Sequence, residues 1–182
     1  MRRASERARC RTSAAGQAAG GSLTPVRAIA YGALTVGFLD GLDAVVFFGL
    51  RGVGPARIFQ AIAAGLLGRA SFQGGVPTAA LGVLLHLTIA LAIVTVYYLA
   101  SRRVPALTRQ PLVWGPLYGI VVYLTMNLVV VPLSAAVSGP RPLAVVLNGL
   151  LIHIFGVGVP CALFVRTAHA PNSLSASRDG NS

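Results

Sequence analysis

The sequence contains no lysine, and only four of its 182 residues are acidic, against fifteen arginines. Charged residues make up 10% of the chain, whereas a soluble domain usually carries about 25%. The shortage of charge coincides with 55% hydrophobic residues, which are arranged in long blocks. This composition excludes an ordinary water-soluble domain and predicts a protein that is solvated by lipid.

The motifs of soluble enzymes and of nucleic-acid-binding proteins are also missing. No glycine-rich phosphate loop follows a predicted strand, and there is no nucleophile elbow or zinc-protease helix. The formal net charge of +11 comes from arginines that flank apolar blocks, not from a basic face interleaved with aromatic residues. We therefore expect the partner of this charge to be the lipid bilayer and not nucleic acid, and the sequence does not favour an enzyme.

Only two cysteines are present, Cys10 in the polar N-terminal region and Cys161 in an apolar block. Their positions do not favour a disulfide, and neither has the spacing of a metal ligand. The sequence identifies no cofactor.

Four apolar segments are each at least 23 residues long, and about 20 residues suffice to cross a bilayer. The segments are 26–50, 76–100, 112–137 and 143–165. Such segments must be helical, because lipid offers no partners for backbone hydrogen bonds. We predict an all-α bundle of four transmembrane helices over residues 25–167, and the sequence leaves open whether it forms a homo-oligomer.

The chain ends differ in composition from the bundle. Residues 1–24 and 168–182 are predicted to be disordered tails, because they are rich in small and polar residues without hydrophobic periodicity. We expect no signal peptide, since the first apolar run is too long and no suitable cleavage site follows it. With both termini in the cytoplasm, nine arginines lie near the inner side and four near the outer side, which favours this orientation.

Aromatic residues are expected at one membrane surface. Tyr97 and Tyr98 close the second span, while Trp114 and Tyr118 open the third. Because tyrosine and tryptophan are enriched at membrane interfaces, we interpret the four as an interfacial belt on the side of the termini.

A short helix is predicted over residues 56–69, between the first two spans, with Pro55 at its start. Its fourteen residues would extend roughly 21 Å, which is too short to cross the bilayer. The segment is therefore interfacial or re-entrant. We favour the interfacial placement because Arg57 and Arg69 flank it and arginine prefers the headgroup region.

Small residues and prolines mark places where the helices approach or bend. The pairs Gly37-x-x-x-Gly41 and Gly115-x-x-x-Gly119 are typical of close helix packing. Pro132 and Pro160 lie inside the third and fourth spans, where each is expected to free a backbone carbonyl and kink its helix.

Each span carries one polar side chain at a similar depth. Counted from the same side of the membrane, these side chains lie ten residues into their spans: Asp40, His86, Asn127 and His153. A helix rises about 1.5 Å per residue, so all of them are expected roughly 15 Å deep, near the middle of the membrane. Asp43 and Asn148 lie about one turn nearer the outer side. We call these six residues the polar layer.

The two carboxylates of the polar layer are its strongest functional signal. An ionised Asp at mid-membrane costs roughly 2.5–3.5 kcal/mol. Asp40 and Asp43 are spaced i, i+3, so they share one face of a helix. In a low dielectric we do not expect the two carboxylates to be ionised at the same time. A second acid adds cost without being needed for packing.

Several interpretations of the polar layer stay open at this stage. Asp40, Asp43, His86 and His153, with Asn127, are candidates for a site that handles protons or a small cation. The same nitrogen and oxygen donors suit a transition metal. A haem held by His86 and His153 is the least favoured site, because it leaves the Asp pair unexplained. In a structural or accessory subunit, the layer would only fix helix packing through hydrogen bonds.

One stretch, Arg57 to Gly68, resembles a known family. Further matching positions follow in order: Gly74-Gly75, His86, Tyr97-Tyr98, Asn127, Pro132-Leu133-Ser134 and His153. Over about Val26 to Arg166 the chain is similar to uncharacterised bacterial inner-membrane proteins with four spans, and distantly to the YagU-like group. The resemblance implies a bacterial cytoplasmic membrane, and it carries over neither an activity nor a functional residue.

Overall fold

The structure is a computed structural model that describes residues 23–136, 139 and 141–169. All regular elements within these residues are helical, and four helices are long and apolar enough to cross a membrane. The predicted all-α bundle is thereby confirmed. Apart from their two innermost residues each, the predicted disordered tails lie outside the described residues.

We number the helices in chain order. The long helices are α1 (Pro25–Gly49), α3 (Gly75–Ser101), α5 (Pro111–Leu133) and α6 (Leu143–Ala168); the short ones are α2 (Pro55–Leu67) and α4 (Ala106–Arg109). A 3-10 turn, Gly68–Gln73, connects α2 to α3. We call the end of the bundle where α1 ends and α3 begins the α2 end, and the opposite end the terminal end.

Proline marks several helix boundaries. Pro25, Pro55 and Pro111 each occupy the first helical position, where the missing N–H would have no partner in any case. The largest difference from the predicted spans is at the end of α5. The hydrophobic pattern predicts a span to residue 137, but the helix ends at Leu133 because Ser134 has an extended backbone.

Two π-helical turns precede the prolines inside α5 and α6. They cover Met126–Val130, ahead of Pro132, and His153–Gly158, ahead of Pro160. Proline has no N–H for the carbonyl four residues earlier, and its ring crowds that carbonyl, so the wider turn relieves the clash. The backbone irregularity expected at these prolines therefore takes the form of a π turn. Each turn begins at or next to a residue of the polar layer.

Glycines let α5 and α6 touch through their backbones. A Cβ atom at Gly119 would overlap the carbonyl of His153, and one at Gly115 would lie 2.9 Å from the carbonyl oxygen of Gly158. This contact is the close packing that the Gly115-x-x-x-Gly119 spacing predicts.

The hydrophobic core lies toward the terminal end and includes the fully buried Tyr97 and Cys161. The Tyr97 hydroxyl donates to the carbonyl of Leu107 (2.9 Å), and the Tyr118 hydroxyl donates to the carbonyl of Ile93 (2.7 Å). The two rings meet edge to face at 4.9 Å. Tyr97 is therefore buried and Tyr118 half-buried, with their hydroxyls bonded to backbone carbonyls, while the depth of the predicted interfacial belt in a membrane stays a prediction.

Helix α2 lies across the α2 end, where it packs against α3 and contacts the segment that follows α5. The Gln60 side chain donates to the carbonyl of Gly75 (2.9 Å), and the Ala135 N–H donates to the carbonyl of Gly65 (2.9 Å). Gly82 of α3 lies against the backbone of Phe59, where any side chain would overlap. The predicted short helix is present, while its depth in a membrane stays a prediction.

Candidate functional site

Four residues of the polar layer line one cavity of about 370 Å³: Asp40, His86, Asn127 and His153. They come from α1, α3, α5 and α6, so each long helix contributes one polar side chain. The cavity is otherwise apolar, with Phe48 and Ile62 among its lining and Ala90 and Val157 deeper in the bundle. The side chains matched by depth in the sequence thus also face one another.

Asp40 lies between the two histidines. Its Oδ2 atom is 3.9 Å from Nδ1 of His86, and its Oδ1 atom is 4.0 Å from Nδ1 of His153. The Asp40 side chain is 28% exposed, and those of His86 and His153 are 13% and 17% exposed. An N–H···O hydrogen bond spans about 2.7–3.2 Å, so an approach of about 1 Å would join Asp40 to either ring.

His86 is held by the backbone of α1. Its Nε2 atom lies 2.8 Å from the carbonyl oxygen of Gly37. Because a carbonyl oxygen only accepts, Nε2 carries a proton and donates it. In a neutral ring the other nitrogen, Nδ1, then has only a lone pair, and this nitrogen faces Asp40.

His153 is held by its own helix. Its Nδ1 atom lies 2.8 Å from the carbonyl oxygen of Gly149 and donates to it, since the carbonyl cannot donate. The ring meets the edge of Tyr123 at a centroid distance of 5.4 Å. Nε2 is therefore the lone-pair nitrogen of a neutral His153.

A second cavity of about 210 Å³ adjoins the first toward the α2 end. Asp40, Asn127 and His153 line both cavities, whereas Asp43 and Asn148 line only the second. The Asn148 side chain donates to Oδ2 of Asp43 at 2.7 Å. Asp43 therefore has a neutral partner on α6, while Asp40 faces two rings that can take up a proton.

Arg141 is a residue of the site that sequence reasoning missed. Its guanidinium donates to the side-chain oxygen of Asn127, and it lines the second cavity together with Asp43. The Asn127 amide in turn donates to the carbonyl of Tyr123 (2.7 Å). In the sequence, Arg141 is one of several loop arginines, and no local signal indicates that its side chain contacts Asn127.

The donor atoms do not form a recognisable metal cage. Within the described part of the chain, no group of three or more His, Cys, Asp or Glu side chains is arranged to hold a metal ion. The nearest approach to one is the Asp40 carboxylate with the lone-pair nitrogen of His86. Metal and haem binding remain predictions that the geometry does not favour over proton exchange.

Comparison with protein-family models, curated proteins and solved structures gives no match to this chain. A function for this chain therefore has to be inferred from its helical fold and its polar layer.

Proposed function

We propose that this chain is a multi-pass protein of the bacterial cytoplasmic membrane whose polar layer binds and releases a proton or a small cation. Both termini are proposed to lie in the cytoplasm, as the arginine distribution favours. The α2 end would then face outward. Membership of the four-span family that the sequence resembles stays a prediction.

The observation that carries this proposal is the position of the Asp40 carboxylate next to the Nδ1 atom of His86. With Nε2 of His86 bonded to Gly37, a neutral ring directs the Nδ1 lone pair at Oδ2 of Asp40, 3.9 Å away. A carboxylate and a lone pair repel, whereas one proton on either atom allows a hydrogen bond once the two atoms approach by about 1 Å. The Asp40–His86 pair is therefore a unit that gains stability from one added positive charge.

The cavities support exchange of a proton or cation between the Asp40–His86 pair and the α2 end of the bundle. The second cavity, with Asp43, Asn148 and Arg141, lies between Asp40 and the α2 end. Toward the terminal end, the hydrophobic core and the Tyr97–Tyr118 contact fill the bundle. A proton or cation would reach Asp40 through the polar side of the bundle.

Infrared difference spectroscopy during a pH titration of the lipid-reconstituted protein tests this proposal. The stretch of a protonated carboxyl should appear and disappear with pH in the wild type, and its Asp40 component should vanish in Asp40→Asn. Asp43→Asn is the matched control, since its acid is already hydrogen-bonded to Asn148. If the spectra of wild type and Asp40→Asn titrate identically, the proposal is wrong. Repeating the titration with Na⁺, K⁺ or Zn²⁺ shows whether a cation displaces the proton.

A structural or accessory subunit is the second candidate function, and specific bonds favour it. The Asn148–Asp43 bond links α6 to α1, and the His86–Gly37 bond links α3 to α1. Hydrogen bonds between helices stabilise packing in lipid by a modest amount, about 0.6 kcal/mol on average. In this case Asp43→Ala, which removes the bond to Asn148, should lower the unfolding midpoint, and Asp40→Asn should remove no pH-dependent infrared band.

A further inference from the structure

An apolar groove lies between helices α3 and α5 and continues to α2. The groove consists of two adjoining cavities of about 340 and 530 Å³, which share Ile89, Met126 and Val130 as lining residues. Tyr118, bonded to α3, bounds it toward the terminal end, and α2 bounds it at the α2 end. We call this feature the lateral groove.

The lateral groove ends at a cation. Arg57 lines it in the first turn of α2, with its guanidinium 4.7 Å from the ring centroid of Phe72. The side chain is exposed, and within the described residues no carboxylate lies within 4.0 Å of it. The first turn of α2 contains no acidic residue, and the N-terminal end of the helix dipole adds positive potential.

We propose that the lateral groove binds an anionic phospholipid, with one acyl chain between α3 and α5 and the phosphate at Arg57. An apolar groove between membrane helices fits a lipid chain. A basic side chain at its mouth, near the ends of α1 and α3, lies where the headgroup of such a lipid would be. The proposal does not depend on the proton or cation chemistry of the polar layer.

Charge argues for a lipid and against a second copy of the chain. A second copy could neutralise Arg57 only with an acid, and the chain has only four acids. Asp40 and Asp43 lie inside the bundle. Glu6 and Asp179 lie outside the described residues, in the sequence that flanks the terminal ends of α1 and α6. No acid of the described residues is therefore available at the α2 end.

The lateral groove also borders the candidate site. Ile62, Ile89 and Met126 line both the lateral groove and the cavity of Asp40 and His86. Methionine is flexible and adapts to irregular spaces. A bound acyl chain would therefore pack against the outer side of the wall whose inner side faces the polar layer.

Native mass spectrometry of the full chain tests the proposal, with phosphatidylglycerol and phosphatidylcholine of identical acyl chains as probes. The wild type should retain phosphatidylglycerol preferentially. Arg57→Gln should weaken this binding roughly fivefold and weaken the binding of phosphatidylcholine less, because the choline cation offsets the charge of its phosphate. Arg69→Gln is the matched control, because Arg69 follows the other end of α2 and lines neither cavity of the groove. Ala61→Phe, which adds a ring to the groove wall, should weaken the binding of both lipids.

Circular dichroism and gel filtration establish that each variant is folded. If Arg69→Gln weakens binding as much as Arg57→Gln, the attraction is a diffuse surface effect and the proposal is overturned. The same holds if Ala61→Phe binds phosphatidylglycerol like the wild type. An efficient disulfide between two copies of Val130→Cys, in a Cys10→Ala and Cys161→Ala background, would instead show that a second copy occupies the groove.

Discussion

The Nε2 atom of His86 lies 2.8 Å from the carbonyl oxygen of Gly37, so the imidazole ring rests on the backbone of α1. Gly37 and Gly41 make this possible because neither has a side chain on the face that the ring covers. Asp40 lies between them in sequence and approaches the other nitrogen of the same ring. One short segment of α1 thus supplies both the carbonyl that binds His86 and the acid that lies next to its ring.

Substitution at Gly41 should displace His86. An added Cβ would lie 3.3 Å from Nε2 of His86, and the branched side chain of Gly41→Val would crowd the ring further. We expect a loss of about 1–3 kcal/mol in the free energy of unfolding, as for other overpacked sites. Gly49→Ala is the control, since nothing lies within 4 Å of its Cβ position, and it should be neutral or slightly stabilising. Denaturant unfolding in mixed micelles measures both; wild-type stability of Gly41→Val would contradict the prediction.

Substitution at Gly82 should detach α2 from α3. A Cβ atom there would overlap the backbone carbonyl of Phe59, and a backbone cannot move aside as a flexible side chain can. Gly82→Ala should therefore lower the free energy of unfolding by about 1–3 kcal/mol. It should also increase proteolysis around α2, which bounds the cavity through Ile62. Gly65→Ala on α2 is the control, because its Cβ would make only ordinary contact with Ser134 at 3.8 Å. Equal stability and proteolysis of the two variants would rule out this contact.

The bond between Asn148 and Asp43 should be measurable as a coupling energy. A double-mutant cycle of Asp43→Ala and Asn148→Ala is expected to give about 0.6 kcal/mol, and at most about 1.7 kcal/mol, the range found for hydrogen bonds between membrane helices. The bond is 2.7 Å long and joins α1 to α6. Thr88→Ala replaces Asn148→Ala in the control cycle, since the Thr88 hydroxyl bonds to the carbonyl of Leu84 in its own helix. The effects of Thr88→Ala and Asp43→Ala on the free energy of unfolding should be additive. Zero coupling between Asp43→Ala and Asn148→Ala would show that the bond between Asp43 and Asn148 does not form.

The depth of the polar layer could be predicted from sequence because the rise of a helix is regular and the spans start and end at recognisable places. Asp40, His86 and His153 could be placed at one level by counting residues alone. Counting does not predict which way a side chain points around its helix. In the structure this is decided by close contacts such as that of Gly119 with the His153 carbonyl.

Other parts of the site depend on tertiary structure that has no local signal. Arg141 reaches Asn127 from outside α5 and α6, although fourteen residues separate the two in sequence. The prolines predict an irregular backbone, but they do not specify a π turn such as the one that begins at His153. Tyr97 has the sequence position of an interfacial residue, yet it is buried because Leu107 offers a carbonyl to its hydroxyl.

The role of His86 in proton exchange can be separated from its role in packing. Gln at position 86 keeps an N–H donor for the Gly37 carbonyl but has no group that titrates near neutral pH. If Asp40 and His86 share a proton, His86→Gln should shift the pH at which the Asp40 carboxyl band appears, while unfolding stability changes little. His169→Gln is the control, since His169 bonds to Val165 at the end of α6, away from the polar layer. A band that titrates identically in His86→Gln and wild type would mean that Asp40 exchanges its proton without His86. His153, whose Nδ1 atom lies 4.0 Å from Oδ1 of Asp40, would then be the histidine to test next.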